Sequence, residues 1–278
     1  MQILKNDNFA DFQTANLGID LFKTFNCGQC FRWEKVQDGY FEGVAFNKFI
    51  RVKQEKNILL FENILKKDFQ EIWQNYFDLE NNYDKIIDSF NCDEILKKVI
   101  NFSKGIHILK QDIFEVIVSF IISANNNIAR IKKIINLLCQ NFGEKINYKN
   151  NVYYSFPTAK ILSELCLKDL DVIRGGFRSK YILDAAKKVY NGDVDLEKIT
   201  ILSNEEAIKE LMKIKGVGEK VAHCILLFGL NRYDAFPKDV WIKRIMNNCY
   251  GDCECSRFGE YAGVAQQYLY FYAKNKIK

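Results

Sequence analysis

Lys220 stands at the start of a helical pattern, behind the tight turn Gly216-Val217-Gly218 and ahead of the near-solid apolar run from Val221 to Phe228. A cation in the first turn of a helix is opposed by the helix dipole and loses water to apolar neighbours, and both effects lower an amine's pKa. A neutral amine is a nucleophile that forms a Schiff base with a carbon electrophile. A surface lysine snorkelling from a helix start fits the same position. Asp239, in the segment Phe236-Pro237-Lys238-Asp239-Val240-Trp241, is the second such residue. A fixed carboxylate stabilises an oxocarbenium-like sugar; the plainer alternative is an N-cap for the helix that follows. One helix and a loop separate the two residues, a spacing that allows a single cleft to hold both.

The elements that must position them are legible nearby. Ser203 and Glu206 match a capping box that starts a helix over 203–213, with Ala207, Ile208, Leu211 and Met212 on one face. Lys215, Gly216, Val217 and Gly218 form the turn, and a second helix runs over 219–230. A Gly-rich turn that leads into a helix N-terminus offers free backbone N–H groups at the positive end of a dipole, a phosphate site. This helix-hairpin-helix arrangement grips a nucleic-acid backbone without reading sequence. A plain helical hairpin whose glycines only serve the turn is the alternative, and the Lys-Val-Ala that follows the turn weighs against it. With a DNA phosphate held there, the electrophile in reach of Lys220 is the deoxyribose C1′. In the last helix Gln266 and Tyr270 are four apart and share a face, an edge reader beside a stacking platform; an amphipathic terminal helix explains them too. Asn125, Asn126 and Asn127 read as an inter-helix loop with Asn127 as a cap.

Around these elements the chain of 278 residues changes periodicity once. From Cys30 to Glu62 it alternates as strands, with turns at Asp38-Gly39 and Glu55-Lys56-Asn57, and predicts an antiparallel meander. From about Lys66 onward the pattern is helical, including a buried helix within 112–123 and a stripe of Ile128, Ile131, Ile135 and Leu138. The expected fold is therefore α+β: an antiparallel β lobe with flanking helices over 1–103, then a mainly helical body over 104–278 with the hairpin at 203–230. A composition 48% apolar and 27% charged, without low-complexity tracts, excludes a disordered or fibrous chain. A net charge of +5 permits an anionic partner but does not demand one. No apolar run spans a bilayer, and the N-terminal residues lack a signal-peptide pattern. Nine irregularly spaced cysteines read as reduced thiols.

Five separated segments carry a resemblance. They are Cys27-Gly28-Gln29-Cys30-Phe31-Arg32-Trp33, the stretch Ser123 to Arg130, the hairpin Gly216 to Ala222, Phe236 to Val240, and Tyr261 to Gln266. In this order they resemble the 8-oxoguanine DNA glycosylase/lyase family of the helix-hairpin-helix glycosylase superfamily. The resemblance implies that Lys220 displaces the damaged base and that Asp239 assists and stabilises the charged sugar. It implies that the Gly28 carbonyl accepts the N7–H that distinguishes 8-oxoguanine from guanine, that Gln266 reads the base edge, and that Cys224 and Tyr270 sandwich its faces. Asn125, Arg130 and Arg178 would hold the orphaned cytosine, with Phe177 wedged into the gap. The chain departs from the family pattern at Lys215 (usually proline), Phe177 (tyrosine), Tyr270 (phenylalanine) and Trp241, which stands where a histidine often meets the DNA backbone.

The implied partner is double-stranded DNA containing 8-oxoguanine, met by a monomer in a bacterial-type cytoplasm, with no membrane association. Cys249, Cys253 and Cys255 lack the number and spacing for an iron–sulfur cluster, and two histidines provide no zinc set, so no cofactor is expected beyond a structural monovalent cation at the hairpin. Two alternatives stand beside the lyase reading. An alkyl-base or adenine glycosylase of the same fold would act through water and generally lacks a lysine at position 220. A DNA-binding module without chemistry would have no use for Lys220, Asp239 and Gln266 together.

Overall fold

The computed structural model describes residues 3–4, 10–15, 18–56, 58–90, 93–251 and 255–276. Asn57 of the expected turn and Cys253 lie outside them. The chain packs as two compact units: Met1–Gly43 with Ile50–Lys110 and Arg232–Lys278, and Val44–Phe49 with Gln111–Asn231. The expected boundary after residue 103 falls within the first of these units. The stretch carrying Asp239, Gln266 and Tyr270 belongs with the sheet.

Among the described residues the main sheet has six strands: β1 (Ile3–Leu4), β2 (Ala10–Ala15), β3 (Trp33–Lys35), β4 (Tyr40–Ala45), β5 (Lys48–Glu55) and β6 (Ile58–Ile64), in the order β1-β2-β6-β5-β4-β3. The last four are the expected meander; β1 and β2 are additions. β2 pairs antiparallel with β6, Phe12 opposite Phe61, a register no local pattern announces. Alternation does the rest. Ile50 and Val52 of β5 and Leu59 and Phe61 of β6 point inward, while Arg51 on the other face bridges Glu42 at 2.9 Å and Glu62 at 2.5 Å. The inner face meets an aromatic layer in which Phe12 stacks on Phe69 at 4.6 Å and Phe25 on Trp33 at 4.1 Å. Each such ring, fully buried, stabilises by roughly 1.5–3 kcal/mol. The helices Val240–Cys249 and Ala262–Lys276 pack on each other, and the latter on Glu94–Ser103, where the Ser103 hydroxyl donates to the Tyr268 carbonyl at 2.9 Å.

The helical unit is built on Ile113–Ser123, which is buried along nearly its whole length and packs against Glu219–Gly229 and Arg178–Tyr190. Phe120 stacks on Phe228 at 5.4 Å. The mainly helical body also carries a short hairpin of Lys145–Tyr148 with Asn151–Tyr154 that the sequence reading did not mark. Its strands are exposed or half-buried, so neither carries the inward apolar alternation that signals a strand. No helix among the described residues is long and apolar enough to cross a membrane.

Candidate active site

The hairpin forms as its local chemistry dictates. Ser203 and Glu206 make both halves of the capping box, starting Asn204–Leu211. Ala207 and Leu211 are buried, but Met212, expected on the same face, is exposed because the helix stops before it. Three residues from the helix Arg178–Tyr190 fix the turn. Asp184 accepts the Lys215 N–H at 2.7 Å and pairs with Lys188 at 3.1 Å, and Lys188 also donates to the Lys213 carbonyl. The Tyr181 ring lies against Gly216, whose φ is 87° and where an added Cβ would come within 2.6 Å of that ring. Both the conformation and the close approach require glycine. Val217 is buried as the anchor of the turn. Gly218 is the N-cap of Glu219–Gly229 with open space around its Cα, and no side chain caps that helix. The first N–H groups are thus available to an anion.

Lys220 is half-buried in that first turn, its ammonium 5.2 Å from the centre of the Phe120 ring. Within this unit no carboxylate among the described residues pairs with it. Cys224, one turn further along the same helix face, is buried. The amine is therefore held against an aromatic surface without a counter-ion that would occupy it.

The asparagine loop lies in the same unit. Asn127 caps Ile128–Phe142 by accepting the Arg130 N–H at 3.0 Å, and the exposed Asn125 adopts φ 49°. Arg178 explains that strain. Its buried guanidinium donates twice to the Ala124 carbonyl, at 3.1 and 2.6 Å, and once to the Asn125 carbonyl at 2.8 Å. Burial, and then the nearby Arg130, lower the Arg178 pKa from its ordinary value. The side chain expected at the orphaned base thus holds the backbone on which Asn125 is mounted, while Arg130 is exposed. Phe177, 50% exposed, lies 4.4 Å under the Arg178 guanidinium and edge-on to Tyr181.

In the sheet unit Gly28 follows Leu21–Asn26 with φ 79°. A Cβ there would sit 3.0 Å from the Tyr270 hydroxyl, so the glycine and the tyrosine of the last helix are in contact. The loop is pinned by Gln29, fully buried, whose amide donates to the carbonyls of Thr24 and His107 at 2.9 and 2.8 Å and accepts the Leu109 N–H at 2.9 Å. Burial pushes the Cys27 thiol up to about 12, so it remains a neutral S–H beside the glycine. Lys274, one turn beyond Tyr270, lies 5.9 Å from its ring centre.

Asp239 does cap Val240–Cys249, accepting the Ile242 N–H at 2.8 Å, and is half-buried. The buried Gln266 donates to the Pro237 carbonyl at 3.0 Å and accepts from Gln267 at 2.7 Å. These two bonds fix its amide while leaving one N–H and one lone pair without a protein partner among the described residues. Trp241 is stacked under the Arg244 guanidinium at 5.0 Å. Lys220 and Cys224 belong to the helical unit and Asp239, Gln266, Gly28 and Tyr270 to the sheet unit. Asp184, Tyr181 and Gln29 were not marked by sequence. Only Asp184 gave a signal, its i, i+4 spacing to Lys188.

Residues 12–117 match the family model described as 8-oxoguanine DNA glycosylase, N-terminal domain, and residues 118–256 match the HhH-GPD superfamily base excision DNA repair protein. The N-glycosylase/DNA lyase of Saccharomyces cerevisiae is 32% identical over 83% of this chain and 68% of its own length. The chain belongs to the 8-oxoguanine DNA glycosylase/lyase family. The solved 8-oxoguanine glycosylase/lyase of Clostridium acetobutylicum, bound to duplex DNA with cytosine opposite 8-oxoG, superimposes with a TM-score of 0.91 at 39% identity, covering 99% of this chain and 98% of that one. The protein named MBOgg1, solved with a low-affinity DNA ligand, gives 0.94 at 41% identity over 100% and 99%. Against this glycosylase/lyase family the departures acquire physical content. Lys215 adds a cation whose backbone Asp184 already holds, Tyr270 places a hydroxyl beside Gly28, and Trp241 carries an arginine over its ring.

Proposed function

We propose that this glycosylase/lyase excises 8-oxoguanine paired with cytosine in double-stranded DNA, with Lys220 as nucleophile, and then cleaves the abasic strand by β-elimination. The observation that carries the reading is Lys220 itself: an amine without a carboxylate partner in its unit, at an uncapped helix N-terminus that follows a glycine turn.

The uncapped N–H groups after Gly218, with Lys215 beside them, bind a backbone phosphate. The Lys220 amine attacks C1′; the C1′–N9 bond breaks and its electron pair leaves with the base, which takes up a proton. Positive charge develops on the sugar, and Asp239 stabilises it electrostatically. The ring opens to a Schiff base between Lys220 and C1′. Loss of a C2′ proton then expels the 3′ phosphate, and water releases the lysine. The Gly28 carbonyl accepts the N7–H of 8-oxoguanine, Gln266 meets the base edge with its remaining N–H and lone pair, and Cys224 and Tyr270 cover the faces. Asn125 and Arg130 meet the cytosine, with Arg178 fixing the loop under Asn125 and Phe177 filling the gap. The chemistry calls on the protein's own groups, with no cofactor beyond a structural monovalent cation at the hairpin, and the protein acts as a monomer.

Duplexes carrying 8-oxoguanine, guanine, an alkylated purine or an abasic site opposite cytosine test this together. Free 8-oxoguanine and a strand break, with no release from the guanine or alkylated duplexes, are expected. Release of the alkylated base without a strand break would replace the reading with a water-dependent glycosylase.

A further inference from the structure

Asp78 lies at the bottom of a polar network that the reaction described above does not use. It follows the helix Gln74–Tyr76 in a left-handed turn, φ 52°, and its side chain is fully buried. A carboxylate so placed is tolerable only when its lone pairs are filled. They are: Lys110 pairs with it at 3.0 Å, Asn81 donates to both oxygens at 2.9 and 3.0 Å, and the hydroxyls of Tyr83 and Tyr233 donate at 2.9 and 2.6 Å. Burial, with Asp78 next in effect, raises the pKa of both tyrosines, so both stay donors at any working pH.

The two tyrosines come from different parts of the sheet unit. Tyr83 is scaffold: its oxygen also accepts the Ile108 N–H at 2.7 Å, and its ring stacks on His107 at 3.7 Å. Tyr233 is the entrance to the segment that ends in Asp239. Its hydroxyl accepts from Asn81 at 2.9 Å while donating to Asp78, and its carbonyl accepts the Gly263 N–H at 2.6 Å at the head of the last helix. That helix then takes hold of the segment again, through Gln266 on the Pro237 carbonyl at 3.0 Å. The chain from Tyr233 to Asp239 is thus tied through the Tyr233 hydroxyl, the Tyr233 carbonyl and the Pro237 carbonyl, and the hydroxyl ends on a buried charge.

We propose that Asp78 and Tyr233 are a positioning pair for Asp239, fixing the entry of the segment that carries it. The pair touches no substrate; it acts by removing freedom from a carboxylate whose worth depends on where it sits, and a misplacement of about 1 Å can cost about 10²-fold in rate. The proposal rests on Asp239 acting at the sugar.

Tyr233→Phe removes only the hydroxyl that links the segment to Asp78. Tyr83→Phe removes a hydroxyl from the same carboxylate on the scaffold side and is the matched control. Single-turnover excision of 8-oxoguanine, duplex affinity and melting temperature are measured for both, with Asp239→Asn alongside. Tyr233→Phe should excise about tenfold more slowly with duplex affinity unchanged. Tyr83→Phe should melt at least as low and yet excise at close to the parent rate. Equal rate losses in the two would reduce the network to ordinary scaffolding, and parent-like excision by Tyr233→Phe would remove it from the reaction. Retained excision in Asp239→Asn would show instead that the premise about Asp239 is wrong, and the positioning role would fall with it.

Discussion

Gly28 and Tyr270 are in such close contact that a methyl group on the glycine would stand 3.0 Å from the tyrosine hydroxyl and 3.1 Å from the ring carbon Cε1. One faces the other from elements far apart in sequence, and Gly28 is held at φ 79° by a loop that Gln29 pins from within. Gly28→Ala therefore strains the backbone by about 1–2 kcal/mol and pushes on the Tyr270 ring as well. A melting temperature lower by a few degrees is expected. Excision of 8-oxoguanine should fall at least tenfold while cleavage of a preformed abasic site stays within about threefold, since one hydrogen bond to a buried group discriminates by about 1–3 kcal/mol. Equal losses on the two substrates would show that Gly28 serves the fold and not the base.

Asp239 caps a helix and is proposed to act at the sugar, and substitution can separate the two. Its Oδ1 accepts the Ile242 N–H, a bond an asparagine can also accept, so Asp239→Asn should melt like the parent. The same change removes the negative charge, and excision should fall by about 10²–10³. Asp239→Ala should lose that and, in addition, about 1 kcal/mol of stability. Melting and single-turnover excision on the same preparations check both; near-parent excision by Asp239→Asn would leave the residue a helix cap only.

Arg178 and Arg130 are expected to behave differently although both are assigned to the side of the orphaned cytosine. Arg178→Ala strips the donors from the Ala124 and Asn125 carbonyls, hydrogen bonds worth about 1.5–3 kcal/mol each when the donor is charged, so it should melt several degrees lower. The exposed Arg130→Ala should melt like the parent. Both should narrow the difference in excision between 8-oxoguanine opposite cytosine and opposite adenine. If Arg178→Ala is as stable as the parent, the guanidinium is not what holds the asparagine loop.

How far the sequence announced these relationships depended on the range of the interactions. The capping box at Ser203 and the caps at Asn127 and Asp239 are contacts within a helical turn and were readable from residue types alone. The meander from β3 to β6 was readable because alternation and short turns fix it locally. β2 was not, since its place beside β6 is set by a pairing that crosses most of the sheet unit's N-terminal half. The resemblance assigns Arg178 to the orphaned cytosine, and only the fold turns it inward onto Ala124. Gln29, in a segment read for its glycine, and Tyr181, in a helix read only for its length, owe their roles to partners distant in sequence.

His107 gives the fold a pH limit. The ring is fully buried against Tyr83, Nδ1 meets the Phe77 carbonyl, and Nε2 has no partner among the described residues. Burial lowers its pKa to about 4, whereas the unfolded chain protonates near 6.5. The unfolded state therefore binds the extra proton between those values: stability is fully present above 6.5 and is lost as pH falls toward 4, by roughly 3 kcal/mol in all. Melting temperature recorded from pH 7 to 5 should fall in the parent and fall less steeply in His107→Gln. Parallel curves would assign the acid sensitivity to other groups.

Borohydride reduction during turnover reads the proposed covalent bond between Lys220 and the sugar directly. Hydride converts the C=N bond of a Schiff base to a stable amine, so a protein–DNA adduct should accumulate on the 8-oxoguanine duplex, and peptide mapping should find the sugar remnant on Lys220. Lys220→Gln should bind the duplex with parent affinity and give no adduct. An adduct of parent yield in Lys220→Gln, or a remnant mapped to another amine, would contradict the account.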